Sequence, residues 1–95
     1  MPPTNETLQN SIDIAEWIDL RAHLERGGVI VLDRELDLAG TGMLITEDAA
    51  DIIHEYVAAG QLWKPTEAQI ALWDADNRKK FSTLIISPFV LIQEL

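Results

Sequence analysis

The run FSTLIISPFVLIQEL, residues 81–95, constrains the fold of this chain more than any other stretch. Its β-branched and aromatic residues favour strand. So apolar a segment needs a surface to pack against: the rest of the chain, a second copy, a membrane or a partner protein. Pro88 cannot donate to a sheet ladder, so it divides the run into a core strand, Phe81–Ser87, and a second apolar piece, Phe89–Ile92. The first piece is expected inside the domain's own sheet. The second exceeds what a small domain readily covers, which makes Phe89, Val90, Leu91 and Ile92 candidate interaction residues. A bilayer is a poor fit. A spanning helix needs about 20 apolar residues, and Ser82, Thr83, Ser87 and Pro88 interrupt the run.

The 95 residues fit one domain, and a chain of that size buries roughly 60–65% of its unfolded surface. With 47% hydrophobic and 24% charged residues the composition is that of a globular protein rather than a disordered one. The absence of cysteine excludes disulfides and thiolate metal sites, and it fits a cytoplasmic setting. MPPTNETLQN has neither a basic residue nor an apolar core, so it does not read as a signal peptide. Seven basic against 16 acidic residues give a net charge of −9, which opposes nucleic acid and anionic lipid at long range.

Local signals order the elements. Residues 1–10 read as a flexible arm, and 11–95 as a single α+β domain. Asp13 and Glu16 match a capping box for a first helix, with Ile14, Trp17, Ile18, Leu20 and Leu24 on one face. Gly27-Gly28 should end it, and Val29–Leu32 reads as a buried strand. Asp37 opens a second helix, which Gly40 and Gly42 weaken by about 1 kcal/mol each. Thr46 is placed to cap a third, whose buried face is Ala49, Ile52, Ile53, Tyr56 and Val57 and whose end is Gly60.

Gln61–Lys64 reads as a short strand closed by Pro65. Thr66 and Gln69 form a second capping box, opening a helix that is apolar on two sides, Ile70 and Trp73 against Ala68, Leu72 and Ala75. Such a helix is sandwiched within the fold or against a partner, so Leu72 and Trp73 join the candidate interaction residues. Helix, strand, helix, helix, strand, helix, strand is a winged-helix-like order with a small antiparallel sheet and an inserted helix in place of the wing.

Chemistry-bearing constellations are sparse. The third helix presents Glu47, Asp48, Asp51, His54 and Glu55, the wrong sign for a DNA groove, and Arg78-Lys79-Lys80 is the only basic cluster. His54-Glu55 begins a zinc motif whose second histidine is replaced by Ala58. Asp33, Glu35 and Asp37 alternate as in a calcium loop, but Leu38 and Leu44 stand where glycine and glutamate are required. Ser11, Ser82 and Ser87 lie in no nucleophile-elbow context, and Gly40-Thr41-Gly42 is no phosphate loop. No catalytic, cofactor-binding or metal-binding residue is therefore assigned, and no cofactor is expected. Arg21 falls inside the apolar face of the first helix, so it either snorkels out or pairs with Asp33 or Asp37.

Trp17 and His23, Glu35-Leu36-Asp37-Leu38, the Gly60-x-Leu62-x-Lys64-Pro65 turn, Trp73, and Pro88-Phe89-Val90-Leu91-Ile92-Gln93-Glu94 resemble a family of short bacterial proteins, domain of unknown function 2288. The likeness spans roughly residues 13–94 and implies a freestanding bacterial cytoplasmic protein with no activity to carry over. The residues themselves point to a non-catalytic protein–protein interaction or oligomerising module, with a homodimer as one form of it. Alternatives are a winged-helix-like transcription regulator, which the charge opposes, and a small-molecule or metal-binding enzyme built on His23 or His54.

Overall fold

In the computed structural model, which describes residues 4–95, the chain runs α1 (Asn5–Ser11), β1 (Asp13–Glu16), α2 (Trp17–Glu25), β2 (Val29–Leu32), α3 (Leu38–Thr46), α4 (Ala50–Ala58), β3 (Leu62–Trp63), α5 (Glu67–Ala75), β4 (Lys80–Ile86) and β5 (Phe89–Glu94). Pro88 divides residues 81–95 at a cis peptide bond with Ser87, and both halves enter one sheet. The five strands lie in the order β1-β4-β5-β2-β3. All pairs are antiparallel except β2 with β5, which run parallel with Val31 opposite Ile92.

Alternation of side chains along these strands splits the core into two layers. Val29, Val31, Val90, Ile92 and Phe81 face α2 and α5, where Trp17, Leu20 and Trp73 complete one cluster. Leu32, Leu62, Leu84 and Leu91 face the other way, against Leu8, Leu38 and Ala39 of α1 and α3. Trp17, Trp73 and Phe81 meet edge-on or tilted, with ring centroids 5.0–5.9 Å apart, the geometry that aromatic quadrupoles favour.

The α+β class stands, and several finer expectations change. The sheet is mixed rather than small and antiparallel, and its central parallel pair with helices on both faces does not bear out the winged-helix likeness. The flexible arm expected over residues 1–10 is instead helical from Asn5, because Thr4 and Thr7 form a capping box and Leu8 is buried against α3; residues 1–3 lie outside the described residues. Asp13–Glu16 is a strand, paired with Lys80–Thr83, so the ladder overrides the local capping signal. Helix α2 therefore starts at Trp17.

Helix ends follow their signals more closely. Asp37 accepts from the Gly40 amide at 2.8 Å, and Thr66 with Gln69 forms the expected capping box. Gly27 and Gly60, both at φ +74, close α2 and α4. Thr46, however, caps nothing: it is the last residue of α3, and its hydroxyl donates to the Gly42 carbonyl.

Candidate functional site

Helix α4 carries the clear apolar face expected from its sequence, yet none of its residues is buried. Ile53 and Tyr56 only lean on the core, and Val57 is 52% exposed. Val57 and Ile53 line a cleft of about 540 Å³ between α4 and the sheet, while Ile52, also expected to be buried, is exposed outside it. The volume is within the range of roughly 300–1,000 Å³ typical of binding pockets. Ala50, Ile53, His54 and Val57 form one wall, spaced i, i+3, i+4 and i+7 along the helix. Ile30, Leu62, Trp63 and Phe89 supply the sheet side, and Leu44, Ile45 and Ala49 line it where α3 turns into α4. Its polar lining is Asp48, His54 and Lys64.

The turn into α4 shapes this cleft. Three helices end with the same pair of backbone bonds, in which the residue after the cap donates to the third carbonyl back and its successor to the fifth; in α3 these are Asp48 to Ile45 at 3.1 Å and Ala49 to Leu44 at 2.9 Å. That motif needs a left-handed residue, which is Gly27 for α2, Gly60 for α4 and Asp48, at φ 57, for α3. The lone non-glycine solution therefore lines the cleft. Trp63 is fixed on the opposite wall, its Nε1 donating to Gln69 Oε1 at 3.0 Å.

Residues 3–94 match the model of a family described as proteins of unknown function, DUF2288. The chain belongs to the DUF2288 family. The NMR solution structure of PA1075 from Pseudomonas aeruginosa is similar to this DUF2288 protein at a TM-score of 0.80 and 22% identity, covering 92% of this chain and 80% of that one. At that identity the likeness is one of fold. No curated protein matches the chain.

Of the interaction residues expected from the sequence of this DUF2288 protein, Phe89 reaches the cleft at 36% exposure, and Leu72 is 67% exposed on α5, on the opposite face of the sheet. The others are corrected. Val90, Leu91 and Ile92 are buried because β5 lies inside the sheet between β4 and β2, so the chain's own strands cover them; Trp73 is likewise buried beside Trp17.

Arg21 pairs with neither Asp33 nor Asp37. Its Nε donates to Asp74 Oδ1 at 3.0 Å, and the Trp17 indole donates to the same oxygen at 2.8 Å. The indole bond, helped by the Arg21 guanidinium, holds the Asp74 carboxyl below its ordinary pKa. Asp33 accepts from the Glu35 amide at 2.9 Å and Asp37 caps α3, so both acids are taken up by local backbone. Asp74 escaped the sequence reading, since nothing local ties it to Trp17; α2 and α5 meet only in the folded chain.

A second pocket brings His23 together with Asp13, Asp19, Ser11 and Thr83. The Thr83 hydroxyl is already committed to the Asp13 carbonyl at 3.1 Å. No salt bridge joins His23 or His54 to an acid among the described residues. Nor does any group of three or more His, Asp or Glu among them have metal-binding geometry. No helix among them is long and apolar enough to cross a membrane.

Proposed function

We propose that this DUF2288 protein is a soluble, cytoplasmic bacterial domain that works through contacts with another protein chain rather than by catalysis. The contact is made at the cleft beside α4. One feature supports this reading: the apolar stripe of α4 stands open along a cleft whose other wall is also apolar. Leaving such surface in water forgoes about 25 cal/mol for each Å² that a partner would cover. A second copy and a different protein both meet that need.

The test is a side-by-side purification of tagged wild type and Val57→Lys from the native host, with light scattering of each. Wild type should give a dimer, or a stoichiometric companion protein, that Val57→Lys loses. A strict monomer whose companions do not depend on Val57 overturns the reading.

A further inference from the structure

We propose that the occupant of the cleft is an amphipathic helix of a different protein, apolar along one stripe and basic along its flanks. The proposal rests on the reading of the cleft as a contact site, and it adds the chemistry of the partner. The cleft is a groove that follows a helix. Its wall residues Ala50, Ile53 and Val57 span the length of α4, about 10 Å at 1.5 Å per residue. A helix laid alongside inserts side chains three and four positions apart, which is how amphipathic helices fill apolar grooves.

Charge selects which helix. Glu47 and Asp48 lie at the turn between α3 and α4, where Asp48 lines the groove, and Asp51 and Glu55 stand one turn apart on the flank of α4 beyond His54. The salt bridges engage Asp74, Glu16 and Glu94, so these four carboxylates have no cationic partner among the described residues. Among the described residues Lys64 is the single Lys or Arg lining the groove. A second copy would bring another net charge of −9 to this acidic rim, and an acidic peptide meets the same repulsion. Lysines or arginines flanking an apolar stripe would pair with the rim while the stripe fills the groove.

Peptides of about 18 residues are long enough to form a helix on binding and supply the probes. One carries leucines at i, i+3, i+4 and i+7 with lysine flanks. A second keeps the leucines and has glutamate flanks. A third has the composition of the first with its leucines dispersed around the helix. Titration calorimetry gives affinities, and NMR shift perturbation maps the site.

The lysine-flanked peptide should bind at low salt and shift Ile53, Val57 and Phe89. The other two should bind at least about tenfold more weakly. Val57→Lys should weaken the first peptide by about tenfold or more, and Asp51→Lys with Glu55→Lys by about tenfold. Val57 is half exposed, so its variant should keep the wild-type melting curve; Ile52→Lys, on the far flank, should keep wild-type affinity. Binding of the first peptide that ignores Val57→Lys, preference for the glutamate-flanked peptide, or no binding of the first overturns the proposal. If the glutamate-flanked peptide or a second copy fills the groove and Val57→Lys expels it, the partner chemistry fails while the contact reading survives. If neither these peptides nor a second copy engages the groove and no companion protein depends on Val57, both fail.

Discussion

The indole Nε1 of Trp17 donates to Oδ1 of Asp74 at 2.8 Å, tying the first residue of α2 to the last turn of α5. Arg21 donates to the same oxygen at 3.0 Å, so one carboxylate oxygen gathers two donors over the aromatic trio of Trp17, Trp73 and Phe81. Asp74→Ala leaves the N–H of a fully buried indole without its partner, whereas Arg21→Met removes only a half-exposed ion pair and keeps an apolar stem. Thermal melts should therefore show a clear loss for Asp74→Ala and a small change of either sign for Arg21→Met. Equal losses would mean that the ion pair, not the indole bond, fixes α5 on α2.

The same carboxylate gives the fold an acid-side dependence. Its pKa is lowered in the folded chain from an ordinary 3.8, chiefly by the Trp17 bond. On acidification the unfolded chain takes up this proton first, so the stabilisation is complete above the unfolded value and disappears as pH falls through the folded one. Urea unfolding from about pH 5 downward should show wild type losing stability faster than Asp74→Asn over this window. Parallel pH profiles for the two proteins would rule out Asp74 as the group responsible.

Much of the fold is legible in the sequence wherever one residue decides locally. Gly27, Gly60, Asp37 and the Thr66–Gln69 pair mark helix ends correctly, since each acts within a turn of itself. The failures are non-local. Asp13–Glu16 carries a good capping pattern, but its amides and carbonyls find β4 some 70 residues on, as the Thr83–Asp13 bond across that separation illustrates. Phe89–Ile92 looks like surplus surface until β2, far earlier in the chain, is seen to pair with it in parallel. The cleft was half legible. The apolar stripe of α4 is plain in the sequence, but nothing local says that it stops short of the sheet.

Asp48 offers a direct test of strain beside the cleft. It adopts φ 57 at a position filled by glycine at the ends of α2 and α4, and left-handed backbone costs most L-residues about 1–2 kcal/mol. Asp48→Gly should raise stability by about 0.5–1 kcal/mol in denaturant titrations, with an unchanged dependence on denaturant concentration. A loss would indicate that the Asp48 side chain makes up for its backbone.

Two other glycines should respond differently to the same substitution. A Cβ on Gly28 would lie 2.7 Å from the Pro88 carbonyl oxygen, a backbone atom held in the turn between β4 and β5. On Gly42 it would lie 2.7 Å from a terminal methyl of Leu84, which can move. Gly42→Ala also gains about 1 kcal/mol of helix propensity in α3. Gly28→Ala should cost about 1–3 kcal/mol, and Gly42→Ala distinctly less. The reverse order would show that Leu84 is held more rigidly than the turn.

The loop between β2 and α3 depends on a side chain from the other end of the chain. Gln93 Nε2 donates to the carbonyls of Asp33 at 2.9 Å and Leu36 at 2.7 Å, so a single amide closes a loop that has no strand of its own. Gln93→Leu removes both bonds, leaves the Leu36 carbonyl to find water and the Asp33 carbonyl with the Leu36 amide alone, and should cost about 1–3 kcal/mol. Gln93→Glu keeps the shape but replaces the donor with an acceptor, setting a carboxylate against those same carbonyls. It should therefore be the more damaging of the two at neutral pH and recover part of its loss in acid, where protonation restores a donor. Amide hydrogen exchange at Leu36, which donates to the Asp33 carbonyl at 3.1 Å, reports the loop directly. Faster exchange in Gln93→Leu, and faster still in Gln93→Glu, is the expected order. If neither substitution changes it, the loop is held by Asp33 and Asp37 rather than by Gln93.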